Sequence, residues 1–262
     1  MDDFLAIDEN LRRAMQFFGR ASGSGDVQEV EGGLAIFSGL NYGVFNIGLL
    51  TQPVSAREGE LAARLKELGR FFAPRTLRWS MWLCEDMLDP AVRRRERQIF
   101  ANFGMRPISE PPGMLARALL PPTRVLPEIE MRQVENAATR ADFCEITSTT
   151  FEIPYSIARA VYWREQAWNG DYQGFVGYVG AQAAATVAIV PGSGSLGVYS
   201  LATMPAFRRR GYGEALLRSA AAEMSRRTGF TRVLLQSTDA GHSLYQRMGF
   251  RDATRFTVYL TR

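Results

Sequence analysis

The residues best suited to chemistry lie in Pro205-Ala206-Phe207-Arg208-Arg209-Arg210-Gly211-Tyr212-Gly213 and the helical run after it, Glu214-Ala215-Leu216-Leu217. Gly197-Val198-Tyr199-Ser200-Leu201-Ala202-Thr203, just before, is β-branched and aromatic enough to read as a strand. The order is therefore strand, glycine-bearing loop, helix. Such a loop leaves the first amides of the helix unpaired and aims them, with the positive end of the helix dipole, at one point. An anion belongs there. Gly211 and Gly213 let the backbone take positive φ and allow a phosphate into contact with the main chain, while Arg208, Arg209 and Arg210 add positive charge.

Two familiar phosphate loops do not fit this spacing. A dinucleotide fingerprint needs a third glycine and an acidic residue about 20 positions on, and a P-loop needs Gly-Lys-Ser/Thr. What stands here is Arg-x-x-Gly-x-Gly after a strand that runs into a proline. It resembles the Gln/Arg-x-x-Gly-x-Gly/Ala pyrophosphate loop of the GNAT superfamily of acyl-CoA-dependent N-acyltransferases. Downstream, Thr231 to Ser237 reads as a strand, Thr238-Asp239-Ala240-Gly241 as a helix start, and Leu244-Tyr245-x-x-x-Gly249-Phe250 is similar to the second signature of that family.

The resemblance implies roles for individual residues. The backbone of Leu201, Ala202 and Thr203 would pair with the pantetheine arm of acetyl-CoA. Arg208, Arg209, Arg210, Gly211, Tyr212, Gly213 and Glu214 would form the pyrophosphate loop, acting mainly through main-chain amides. Thr238 falls where relatives often carry an asparagine that touches pantetheine, and Ser243 could add a hydroxyl. Tyr245 would protonate the departing CoA thiolate, since a phenol with an ordinary pKa near 10 is neutral at pH 7 and able to donate. The base that deprotonates the amine is less marked. Val233 stands where some relatives place a glutamate, which leaves Glu152, in the turn between two helices, as the candidate for direct or water-relayed proton removal. His242 sits on the cofactor side of its helix, as a surface or cofactor-edge residue.

The elements that must position these groups can be read from the pattern. Residues 129–134 read as a strand, 137–151 as a helix, and a second helix carries Ile157, Val161 and Trp168 on one face. Residues 175–179 and 183–190 form a hairpin, Pro191-Gly192-Ser193-Gly194 leads into the strand before the glycine loop, and 256–260 is a last strand. The first half reads as a helix over Phe4 to Phe18, strands near 34–37 and 44–50, a helix over 56–72, a strand over 77–84, a helix over 92–103 and an extended segment at 114–119. Prolines 107, 111, 112, 121, 122 and 127 bracket a boundary between the halves.

The halves resemble each other. Leu49-Leu50-Thr51-Gln52-Pro53 aligns with Leu201-Ala202-Thr203-Met204-Pro205, and residues 99–106 align with 244–251. This suggests an internal duplication. The first copy has Val54-Ser55-Ala56-Arg57-Glu58-Gly59-Glu60 in place of the glycine loop, and Phe100 in place of the tyrosine. It is expected to bind no CoA and to do no chemistry. The fold class implied is α/β (α+β): two GNAT-like lobes, each a mixed, mostly antiparallel sheet flanked by helices, with a degenerate domain over 1–122 and a catalytic N-acetyltransferase domain over 128–262.

The chain of 262 residues is 46% hydrophobic and 22% charged, as globular proteins are. It has no apolar run long enough to span a membrane, and its acidic start is unlike a signal peptide, so a cytoplasmic location is expected. Cys84 and Cys144, with a single histidine, make no ordinary zinc site; they read as core thiols, and no metal is expected. The net charge of +4 fits a chain that holds a polyanionic cofactor. No basic helical face interleaved with aromatics points to nucleic acid. Direct transfer from acetyl-CoA to a small-molecule or peptide amine, through a ternary complex in a monomer or homodimer, is the activity implied. Trp163, Trp168, Tyr155 and Tyr199 are candidates to line an aromatic acceptor pocket. A non-catalytic acyl-CoA-binding regulatory module is the alternative, and it has no need of the Tyr245 hydroxyl.

Overall fold

The computed structural model describes residues 2–262. The chain divides into two compact units, one made of the residues up to Gly113 together with Asp252–Arg262, the other of Met114–Arg251.

The first unit opens with α1 (Asp3–Ala21), whose Ile7, Leu11, Ala14, Met15 and Phe18 recur at helical spacing and are buried. Strands β1 (Asp26–Val30), β2 (Gly33–Phe37) and β3 (Ile47–Leu50) follow as an antiparallel run. Helix α2 (Glu60–Phe72) then crosses over to β4 (Ser80–Cys84), which pairs parallel with β3. The single helix expected over 92–103 is two: α3 (Pro90–Arg93), capped by the Asp89 carboxylate on the Ala91 amide, and α4 (Glu96–Asn102). The expected extended segment at 114–119 is displaced towards the N-terminus, as β5 (Met105–Ser109) and β6 (Pro112–Ala116). Prolines inside a strand argue against a central position; β5, which contains Pro107, lies off the main path of the sheet and pairs with one strand.

The second unit takes the last three residues of β6, which lie beside β11 in strand order, and continues with β7 (Glu130–Gln133). Helix α5 (Ala137–Phe151) starts on a reciprocal capping box between Asn136 and Thr139, and α6 (Tyr155–Tyr162) follows. Strands β8 (Gln173–Val179), β9 (Gln182–Gly192) and β10 (Ser195–Thr203) are antiparallel, and β7 pairs on the outer side of β8. Helix α7 (Tyr212–Thr228) crosses to β11 (Arg232–Gln236), parallel to β10, and α8 (Asp239–Arg247) follows. Alternation along β9 divides the two faces. Ala185, Val187 and Ile189 pack with Leu216, Leu217 and Ala220 of α7, while the intervening residues face away from that cluster and α5 packs on the sheet.

The final strand, β12 (Arg251–Thr261), groups with the first unit. It runs antiparallel to β4, with Phe256 opposite Cys84 and Leu260 opposite Ser80, and also pairs with β5. Its hydroxyls are used there as well: Thr257 donates to Glu85 and Tyr259 to Glu96. The sequence boundaries assign this strand to the second domain. Period-two alternation fixes which face of a strand is buried but not which sheet edge it joins.

Candidate functional site

In the second unit β10 and β11 pair only over Ser195–Gly197 against Arg232–Leu234, although β10 continues to pair with β9 as far as Thr203. Past Gly197 the two parallel strands part, and the β11-facing edge of β10 has no strand partner. Register with β9 also slips between Tyr199 and Ala202. Ser200 sits in that bulge with φ 47°, a left-handed conformation uncommon outside glycine and asparagine. It is held there from two sides: its Oγ lies 2.8 Å from the Tyr172 hydroxyl, and its carbonyl accepts from Thr186 at 2.9 Å. Leu201, Ala202 and Thr203 therefore lie on a strand edge to which an extended arm could add as a neighbouring strand.

The loop that follows is built around close approach. Arg208 donates from Nε to the Thr203 carbonyl at 3.0 Å. Arg209 takes φ 60°, and Arg210 holds its guanidinium 5.2 Å from the Tyr212 ring centroid. Gly211, at φ 97°, is the N-cap of α7 and offers no side-chain oxygen; the first backbone bond of the helix runs from the Ala215 amide to the Gly211 carbonyl at 2.9 Å. A Cβ on Gly213 would lie 2.7 Å from Thr203 Oγ1, so any other residue there would force the Thr203 side chain or the helix start to shift. Glu214 puts a carboxylate in the first turn, where an anion would be repelled, but Arg218 neutralises it through two bonds of 2.9 and 2.8 Å. This i,i+4 pair was legible in the sequence, yet Arg218 is not among the residues picked out there.

Tyr245 lies on α8, on the α7 side of the sheet, with its ring edge-on to Phe250 at 5.5 Å. It is 9% exposed, burial alone pushes its hydroxyl up to about 12, and among the described residues no hydrogen bond engages that hydroxyl. Thr238 is the exposed N-cap of the same helix and makes no side-chain capping bond; Ser243 is exposed one helical turn from it. Glu152 closes α5 at φ 55°, exposed and with no bond to its carboxylate. The aromatic candidates do not all gather. Trp168 is buried in a short 3-10 turn, not on α6, and leads through Tyr172 to Tyr199 in ring contacts of 6.2 and 6.3 Å. Trp163 instead carries Arg159 over its face, and Tyr155 is half exposed. Sequence reading passed over Tyr172 and Ser200, because a strained bulge leaves no mark on residue type.

The first unit has a corresponding turn. Extending the match of Leu49–Pro53 with Leu201–Pro205 puts Gly59 on Gly211, and Gly59 is likewise the N-cap of its helix at φ 79°. Its surroundings differ. Leu61, buried, stands at the Gly213 position. Glu60 accepts from both the amide and the hydroxyl of Ser55, which hold its carboxyl below the usual range, and pairs with Arg64. Arg64 also donates to the Gln52 and Pro53 carbonyls. Phe100, at the tyrosine position, is fully buried and stacks on Tyr259 with centroids 3.8 Å apart. Both cysteines are buried and free, their thiols pushed up to about 12 by burial. Among the described residues no group of three or more His, Cys, Asp or Glu could hold a metal ion, and no helix is long and apolar enough to cross a membrane.

A mixed, mostly antiparallel sheet flanked by helices, with parallel strands parting beside a glycine-capped helix, is the arrangement that carries the site. Comparison with known proteins agrees. Over the whole chain the fold matches a GCN5-related N-acetyltransferase from Kribbella flavida, with TM-score 0.73, 18% identity, and coverage of 100% of this chain and 96% of that one. A conserved protein of unknown function from Staphylococcus epidermidis matches with TM-score 0.63 and 13% identity, covering 91% of this chain and 94% of that one. A GCN5-related N-acetyltransferase from Sphaerobacter thermophilus matches with TM-score 0.60 and 14% identity, covering 96% and 91%. No curated protein matches in sequence. Residues 140–250 match the acetyltransferase (GNAT) family model.

Proposed function

We propose that the chain is an N-acetyltransferase that moves an acetyl group from acetyl-CoA to an amine by direct transfer within a ternary complex. The observation that carries this reading is Tyr245: a largely buried tyrosine whose hydroxyl has no hydrogen-bond partner among the described residues, on the helix that follows the parted strands, within the stretch that matches the family model. In this reading the pantetheine arm pairs with Leu201–Thr203 and the pyrophosphate rests on the amides from Arg209 to Glu214. The amine nitrogen attacks the thioester carbonyl, the C–S bond breaks, and Tyr245 gives its proton to sulfur. Glu152, directly or through water, takes the proton that the amine loses.

Burial supports the tyrosine's role in a specific way. A phenol near 12 keeps its proton across the working pH range, but giving it to a thiolate with an ordinary pKa near 8.5 would run uphill. Desolvation raises the pKa of a departing thiolate as it raises that of the phenol, so the gap narrows when the sulfur leaves into dry surroundings.

The N-terminal half is read as a worn copy that neither binds CoA nor reacts. Calorimetric titration of acetyl-CoA into the protein tests both statements. One site of micromolar affinity is expected, followed by thiol release when amines are screened. Two sites would overturn the worn-copy reading, and no binding would overturn the enzyme.

A further inference from the structure

The segment between β6 and β7 is more than a connection. Leu120 anchors it at one point: its amide donates to the Met248 carbonyl at 2.9 Å, and its own carbonyl accepts from Arg218 at 2.6 Å. That is the arginine which neutralises Glu214 in the first turn of α7. A second anchor lies on the glycine loop, where a Cβ on Gly211 would meet Pro127 Cδ at 3.0 Å and Leu126 Cδ2 at 3.5 Å. Between the anchors stands Arg124, whose guanidinium nitrogen would lie 3.2 Å from the same Cβ. Arg124 is exposed, and among the described residues it has neither an ion-pair nor a hydrogen-bond partner. A cation thus stands beside the N-cap of α7, on a segment bonded at Leu120 and lying against Gly211, while Arg208 in the loop is already tied to Thr203.

Building on the acetyl-CoA reading above, we propose that Arg124 is a cofactor-binding residue that contacts a phosphate of the bound CoA from outside the glycine loop. A guanidinium suits a phosphate oxygen because its planar fork donates two parallel hydrogen bonds. Pinning the segment before the ligand arrives lowers the ordering cost of that contact.

The test is calorimetry with CoA and with pantetheine, which lacks every phosphate. Arg124→Gln should weaken CoA binding about tenfold, the scale of one charge-assisted hydrogen bond at a partly exposed site, and leave pantetheine binding unchanged. Arg124→Lys should recover part of the loss, and the gap between wild type and Arg124→Gln should narrow at high salt. Arg20→Gln, which removes the same charge from α1, should match wild type. Equal CoA affinity in wild type and Arg124→Gln would overturn the proposal while leaving the acetyl-CoA reading intact, as would an equal loss for pantetheine. A wild-type protein that binds no CoA would overturn both.

Discussion

The two glycine-capped turns, at Gly59 and at Gly211, share a left-handed residue at the start of a crossover helix and differ in what fills the space around it. In the first unit the protein supplies the occupants itself. Glu60 folds back onto Ser55, Arg64 takes the Gln52 and Pro53 carbonyls, and Leu61 fills the position of close approach. In the second unit the acidic residue is moved two positions along the helix and neutralised by Arg218, and Gly213 keeps the space at Thr203 free. The same backbone conformation therefore stands in two different side-chain settings. A glycine at a helix start marks a turn, and the chemistry depends on whether nearby side chains leave the amides open.

The contrast can be broken most sharply at the aromatic pair. Tyr245→Phe should lower turnover by about 10²- to 10⁴-fold with the fold intact by circular dichroism, the usual scale for one general acid. Its mirror, Phe100→Tyr, should add no activity and should cost about 1–3 kcal/mol, because the new hydroxyl would enter a dry stack against Tyr259. Full turnover in Tyr245→Phe would reassign that residue to packing.

Next in size is the last strand. Phe256 is fully buried opposite Cys84, so Phe256→Ala should destabilise the protein by about 3–5 kcal/mol. Amide exchange should show protection lost first in β4 and β5; loss starting in β10 and β11 would contradict the grouping of β12 with the first unit.

A valine at φ 97° is strained whatever the space, and at Gly211 it would also press on Pro127. Gly211→Val should weaken CoA binding tenfold or more by calorimetry, whereas Gly59→Val, where a Cβ would meet nothing within 4 Å, should leave that affinity unchanged. Equal effects of the two substitutions would erase the functional difference between the turns.

A pH dependence is also expected in the first unit. Asp8 is buried, and desolvation outweighs its pairing with Arg12, raising its carboxyl from 3.8 to about 7. Between those values the folded chain keeps a proton that the unfolded chain has lost. This group's contribution to stability is present at low pH and falls as pH rises to about 7, by up to about 1.4 kcal/mol per unit. Denaturant midpoints measured from pH 4 to 7 should lose this slope in Asp8→Asn; an unchanged slope would place the titration elsewhere.

Much of the second unit was legible because its signals are local. Glycines at fixed spacing, a run of arginines and a β-branched strand before them identify the turn without any tertiary information. The periodic face of α1 and the hairpin of β8 and β9 are legible for the same reason. Strand β1 was missed because it is polar and mostly exposed, with no alternation to read. The split between α3 and α4 was missed because Arg93, Arg94 and Arg95 are all good helix formers, and only the geometry after the Asp89 cap breaks the run. Ser200 and the unpartnered Arg124 are properties of the folded chain, set by which groups stand nearby.

The return of β12 to the first unit has a consequence for synthesis. Strand β4 is complete early in translation, yet the strand that covers its edge emerges only after the whole of the second unit has been made. At ordinary elongation speeds the ribosome leaves that edge without its final partner for on the order of ten seconds. An open strand edge is a template for pairing with other chains. Slowing translation within the second unit should therefore lengthen the exposure of that edge and lower the soluble yield.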